Sequence, residues 1–249
     1  MKKLYEENNC TKLECNPRTA EFIKYASNSF LATKISFANE MANMCNEWGI
    51  DYIEVAEGMG LDSRISPLFL RAGAGFGGSC FPKDVKALAA SAKSSNVESK
   101  VLEAALAVNE SQPHIVVDMA KERLGILKGK KITVLGLAFK PNTDDVRESR
   151  SKIVIERLLK EGAHVTAHDP EAMNNFKEII DIEMRATAKE ALTEADCLIL
   201  MTEWKEYMDL DYKTVKQQMN GNVVIDGRRA FDYRRMEEAG FDYKTIGLG

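Results

Sequence analysis

The sequence lacks the features that mark several classes of protein. Its 34 Lys and Arg stand against 38 Asp and Glu, a formal net charge of −4 over 249 residues. That leaves no basic footprint for nucleic acid or for an anionic membrane. The longest apolar stretches, Ile132 to Phe139 and Cys197 to Met201, fall far short of the roughly 20 residues of a membrane-spanning helix. The opening Met-Lys-Lys-Leu-Tyr-Glu-Glu has no apolar core of the kind a secretory signal needs. The cysteines, Cys10, Cys15, Cys45, Cys80 and Cys197, are odd in number and scattered. They fit free thiols in a reducing compartment better than a disulfide framework. His114, His164 and His168 show no metal-ligand spacing, and Cys10 and Cys15 have no second pair to complete a zinc site. These absences predict a cytoplasmic protein with neither nucleic acid, membrane nor metal as a partner.

What the chain does have is an apolar fraction of 45%, enough to bury a core and to divide into two domains. From Pro17 to Trp48, Phe22, Ala26, Phe30, Ile35, Ala38, Met41, Ala42 and Cys45 recur at helical spacing with no internal glycine or proline. Asn16 before Pro17 suits an N-cap and first turn, and Gly49 a terminator. Such a helix spans roughly 45–50 Å, more than a small domain needs, so it is expected to join domains or build a subunit interface. A shorter helix is expected from Asp51 to Glu57, stopped by Gly58-Met59-Gly60. A glycine-dense loop, Arg71 to Cys80, follows, then helices from Phe81 to about Ser94 and from Glu98 to about Leu124, with Pro113 as a kink or break.

The pattern changes after the Lys128-Gly129-Lys130 turn. Lys131 to Phe139, Ala163 to His168, Asp196 to Thr202 and Asn222 to Asp226 read as strands, with helices such as Ser151 to Glu161 between them. Alternation of this kind predicts βαβ units and a parallel sheet. The expected class is therefore α/β: a leading segment of residues 1–16, then 17–128 as an all-α domain and 129–249 as an open parallel sheet domain.

Cys80 is the first candidate for chemistry. Pro82 belongs in the first turn of a helix, so Cys80 falls at a helix N-terminus, where free amides and the helix dipole favour a thiolate. Asp84 lies about one turn on, on the same face. A thiolate beside a carboxylate can form a covalent adduct and then steer a water, although a free cysteine is also commonly a buried, inert one. Lys24 and Asn28 share a helix face and suit oxyanion stabilisation and water orientation, although from spacing alone a solvated face is the commoner explanation. The loop Gly136 to Ser149 follows the first strand, where open α/β sheets bind ligands. Lys140 in it could meet a phosphate, but Asp144 and Asp145 do not suit a simple phosphate cradle.

At Gly77-Gly-Ser-Cys-Phe-Pro-Lys-Asp84 the sequence resembles the UDP-glucose/GDP-mannose dehydrogenase family. The resemblance extends through Ala20 to Asn28, Ala32 to Glu40, Gly136 to Lys140, Val146 to Ser149, Thr202-Glu-Trp204, Asp226-Gly-Arg228 and the closing Gly-Phe-Asp-Tyr-Lys-Thr-Ile-Gly247. It implies a long dimerising helix, a Rossmann-like second domain that binds a UDP-sugar, and a homodimer. It also implies two successive NAD-linked oxidations at C6 of a nucleotide sugar, the UDP-glucose branch fitting Cys80 to Asp84 and the GDP-mannose branch differing little there. By resemblance Cys80 is the nucleophile that forms a thiohemiacetal and then a thioester, Lys24 the oxyanion stabiliser, Asn28 its partner and Asp84 the water-orienting acid. Phe69, Leu70, Arg71, Ala72, Gly73 and Gly77 would hold the nucleotide sugar. Lys140 and Arg228 would add charge to it, and Arg64 would reach a neighbouring subunit's site. Lys83 and Arg147 match positions that approach NAD.

One departure stands out. Family chains begin with a dinucleotide-binding domain bearing GxGxxG, of which only Leu4-Tyr5-Glu6 suggests a linker here. The Gly73-Ala-Gly-Phe-Gly-Gly78 stretch lies in the thiol loop instead. The expectation is a central and C-terminal portion with little activity alone. A non-catalytic nucleotide-sugar-binding module is the competing expectation, and it would not require Cys80, Lys24, Asn28 and Asp84.

Overall fold

The computed structural model describes residue 7 and residues 9–249; the linker expected at Leu4-Tyr5-Glu6 lies outside the described residues. Helix α1 runs Pro17–Trp48. The Asn16 side chain accepts from the Thr19 amide, and Gly49 closes the helix in the left-handed conformation at φ +69°, both as the cap residues demand. Helix α2, Tyr52–Gly60, runs through Gly58, which the sequence expectation had as part of the stop. Helices α3, Phe81–Ser94, and α4, Lys100–Leu124, complete the helical half. Pro113 sits inside α4 without ending it.

The second half alternates β1 (Lys131–Leu135), α5 (Arg150–Lys160), β2 (His164–His168), α6 (Met173–Lys177), β3 (Glu183–Met184), α7 (Ala188–Leu192), β4 (Cys197–Leu200), α8 (Lys205–Met208), α9 (Tyr212–Gln218), β5 (Val223–Asp226), α10 (Tyr233–Glu238) and β6 (Asp242–Thr245). The sheet order is β3-β2-β1-β4-β5-β6, and every pairing is parallel. Two strands escape the sequence pattern: β3 is only two residues long and β6, Asp-Tyr-Lys-Thr, is too polar to read as a buried run. Strands β4 and β5 are buried along their whole length, as a sheet covered on both faces requires.

The apolar run after Lys130 continues to Phe139, but β1 stops at Leu135. Gly136, at φ +99°, turns the chain so that the Leu137 and Ala138 amides donate to Asp169 Oδ2 at 2.7 and 3.0 Å. The run is apolar past the strand end because Leu137 and Ala138 are buried in that turn.

Helix α4 joins the two halves. It packs on α1 and α3 and also on α5, β5 and β6, and one apolar core runs from Ala38 and Ala42 of α1 into the sheet. Arg229 adds a polar tie, pairing with the α2 N-cap Asp51. Among the described residues no helix is long and apolar enough to cross a membrane, and no group of three or more His, Cys, Asp or Glu is placed to hold a metal ion.

Candidate functional site

Helix α1 presents Lys24 and Asn28 one turn apart, and the first turn of α3 presents Asp84. The Asp84 side chain is fully buried. Its Oδ2 accepts from Lys24 Nζ and from Asn28 Nδ2, each at 2.7 Å, and Lys83 Nζ stands 3.7 Å from Oδ1. Burial opposes a charge on Asp84, but the two hydrogen bonds and the nearby lysine charges prevail and hold its carboxyl below the ordinary value. The bond to Asp84 in turn raises the Lys24 ammonium, against a smaller cost of burial. At neutral pH the pair is therefore ionised, with Oδ1 buried and accepting no hydrogen bond among the described residues.

Cys80 occupies the N-cap position of α3 and is exposed, unlike the buried Cys45 and Cys197. Burial pushes the Cys197 thiol far above its usual range, leaving it inert. The Cys80 carbonyl accepts from the Asp84 amide at 2.9 Å, so thiol and carboxylate sit one turn apart at the same helix end. Ser79 Oγ lies 3.8 Å from Cys80 Sγ.

The loop before Cys80 is held on three sides. The Gly73 amide donates to Asn39 Oδ1 of α1 at 2.7 Å, the Ala74 amide to the Gly227 carbonyl at 2.7 Å, and the Gly78 amide to the Arg147 carbonyl at 3.0 Å. From α4, Asn109 accepts from the Phe76 amide at 2.7 Å and donates to the Phe76 carbonyl at 3.1 Å. Gly77 passes so close to the sheet half that a Cβ would lie 2.4 Å from the Glu148 carbonyl oxygen; only glycine permits that approach.

Under this loop lies a cavity of about 330 Å³. Phe69, Arg71, Ala72, Gly73 and Gly77, expected at the site, line it, together with Ile35, Asn39, Phe76 and Phe81. Phe139, Glu203 and Arg228 close it from the carboxyl ends of β1, β4 and β5. The order reverses between β1 and β4, so the cavity stands at the topological switch point, where open α/β sheets bind ligands. Arg228 spans its mouth, donating to Phe139 O at 2.8 Å, Glu203 Oε2 at 3.2 Å and Gly75 O at 3.4 Å.

Other expected residues lie elsewhere. The Leu70 side chain is buried and its carbonyl accepts from Tyr52 Oη at 3.0 Å, so it shapes the wall from behind. Lys140 is exposed, with Nζ 5.4 Å from the Phe139 ring centroid. Arg64 is exposed and paired with Asp62 at 2.6 Å. Lys83 and Arg147 are exposed near the thiol loop, Arg147 forked onto Asp145. Asn39, Asn109, Phe139 and Glu203 were missed. Asn39 had a signal, since it falls on the same helical stripe as Lys24, Asn28 and Ile35; Asn109 lies within α4 and meets the loop only through tertiary packing, and Phe139 and Glu203 depend on loop placement.

Two domain models of the UDP-glucose/GDP-mannose dehydrogenase family match the chain: the central domain over residues 18–111 and the UDP binding domain over residues 133–233. The UDP-glucose 6-dehydrogenase TuaD of Bacillus subtilis is 43% identical over 249 residues, covering 99% of this chain and 54% of that protein. The UDP-glucose 6-dehydrogenase AglM of Haloferax volcanii is 47% identical, covering 91% of this chain and 51% of that protein. A UDP-glucose dehydrogenase structure from Pyrobaculum islandicum superposes with a TM-score of 0.91 at 42% identity, over 100% of this chain and 55% of that one. The chain thus spans about half the length of the relatives it matches.

Proposed function

Because this chain belongs to the UDP-glucose/GDP-mannose dehydrogenase family, we propose that it binds UDP-glucose in the cavity at the switch point and oxidises C6 to the carboxylate through Cys80. The observation that carries this reading is an exposed thiol at a helix N-terminus, one turn from a buried carboxylate that grips a lysine and an amide, beside a cavity built at a sheet's switch point.

In this mechanism the C6 alcohol is first taken to the aldehyde. The Cys80 sulfur then bonds to the aldehyde carbon, and the carbonyl oxygen takes up a proton, giving a thiohemiacetal. A second oxidation turns this adduct into a thioester, and water cleaves the C–S bond to give the carboxylate and the free thiol. NAD, when bound, accepts the hydride of each oxidation. Lys24, kept protonated by Asp84, offers positive charge to the oxyanion of each addition. Asn28 shares the same carboxylate oxygen and so fixes Lys24 and Asp84 relative to each other. Asp84, ionised and with Oδ1 unused, is the acceptor available to orient the hydrolytic water.

Lys83 and Arg147 fit the rim of an NAD site: both are exposed cations near the thiol loop. The GxGxxG-spaced stretch does not fit a diphosphate cradle, because the Gly73, Ala74 and Phe76 amides already donate to Asn39, Gly227 and Asn109. The 249 residues alone are therefore expected to bind the nucleotide sugar with little turnover. A homodimer through α1 is part of the same reading, since Phe22, Phe30, Phe37 and Trp48 expose large apolar surface along that helix.

Isothermal titration of the chain with UDP-glucose, UDP-glucuronate, GDP-mannose and NAD tests the proposal. UDP-glucose and UDP-glucuronate are expected to bind and NAD only weakly. Tighter binding of GDP-mannose would move the substrate to that nucleotide sugar. Binding that leaves Cys80 unprotected from alkylation would favour a non-catalytic module.

A further inference from the structure

Two asparagines that the proposed chemistry does not use are almost wholly buried: Asn39 of α1 at 0% exposure and Asn109 of α4 at 1%. Asparagine is a poor residue for a helix interior, and a buried amide is costly unless its polar atoms find partners. Both turn their side-chain oxygen to one target, the main chain of the thiol loop. Asn39 Oδ1 takes the Gly73 amide, while its Nδ2 is buried with no hydrogen-bond partner among the described residues. Asn109 pairs with Phe76 in both directions, as a neighbouring strand would. The fit around Asn109 is tight: a Cβ on Gly75, at φ +95°, would lie 2.7 Å from Asn109 Oδ1. Between the two, Ser36 Oγ of α1 donates to the Ala105 carbonyl of α4 at 2.7 Å, which keeps the two helices in register.

A glycine-rich loop has many conformations to lose on folding, and Gly73 to Phe76 at the middle of this one are buried. Without these asparagines the Gly73 and Phe76 peptides would lose their partners. We propose that Asn39 and Asn109 are positioning residues. They select one conformation of the loop, and through it the cavity wall between Gly73 and Gly77 and the approach of Cys80 to the sugar. This inference rests on the reading of the cavity as a nucleotide-sugar site.

The test compares the 249-residue chain with Asn39→Leu and Asn109→Leu by amide hydrogen exchange and by titration with UDP-glucose. Each variant is expected to exchange amides of residues 71–78 about tenfold faster, with β1 and β4 unchanged, and to bind UDP-glucose about tenfold more weakly, as loss of a buried hydrogen bond implies. Unchanged loop exchange overturns the proposal, as does exchange rising equally in the sheet, the pattern of a merely structural role. Faster loop exchange with unaltered affinity overturns it too. If Asn109→Leu does not fold, Asn39→Leu, which removes a single bond, decides alone. Failure of the unsubstituted chain to bind UDP-glucose would defeat the nucleotide-sugar reading instead, and loop exchange would then decide the positioning role.

Discussion

Lys24 of α1 and Asp84 of α3 stand 60 positions apart in the chain and 2.7 Å apart in space. Their pairing, with Asn28 on the same carboxylate oxygen, fastens the helix carrying the lysine to the helix end carrying Cys80. The ion pair links the electrostatics of the site to its architecture.

That pair gives a pH dependence with a definite sign. The Asp84 carboxyl is held below its ordinary value of 3.8, so its contribution to stability is present above that value and is lost as the pH falls through the folded-state value. Chemical unfolding followed from about pH 5 downward should show a falling midpoint for the natural chain and a flatter profile for Asp84→Asn. Parallel profiles would mean that Asp84 carries no such linkage. Half-exposure of Lys24 keeps the effect modest.

Cys80 should be the thiol whose alkylation UDP-glucose suppresses. Cys10 and Cys15 are also exposed and should label regardless of ligand, while Cys45 and Cys197 should react only on unfolding. Peptide mass mapping after brief iodoacetamide treatment distinguishes them. Equal protection of Cys10 would point to a general effect and not to occupancy of this cavity.

Gly77→Ala places a methyl group against the Glu148 carbonyl, a backbone contact that cannot swing aside. The expected cost is about 1–3 kcal/mol of stability, with nucleotide-sugar affinity reduced as the loop lifts from the sheet half. Thermal unfolding and titration measure both. Unchanged values in both would show that the loop relaxes freely.

Asp226 is fully buried at the end of β5 and accepts from the amides of Arg228, Ala230 and Phe231 and from Tyr243 Oη at 2.8–2.9 Å. It shapes the turn that presents Arg228. Asp226→Ala would strand these donors and should cost roughly 3 kcal/mol, weakening UDP-glucose binding with it. Intact binding would separate Arg228 from this turn.

If α1 builds a homodimer, Phe30→Asp with Phe37→Asp should convert the chain to a monomer without altering its helical content. Phe30 is 67% exposed and Phe37 45%, so neither supports the fold of one copy. Light scattering at micromolar concentration is the measurement; a monomer before any substitution would remove the interface role from α1.

The sequence by itself determined α1, its caps, the change from helices to a parallel α/β sheet, and the grouping of Lys24 with Asn28 and of Cys80 with Asp84. These depend on spacing within one element, which periodicity and turn chemistry report directly. It did not determine where β1 ends, because Leu137 and Ala138 are apolar for burial in a turn and not for pairing. Nor did it disclose β6, whose polar residues alternate with buried ones at the sheet edge. Only the tertiary structure decided that Asp84 faces both Lys24 and Asn28, that Asn39 and Asn109 read the loop backbone, and that Glu203 and Arg228 meet across the cavity. Those relations join residues from separate elements, and their distances follow from how α4 packs α1 against the sheet.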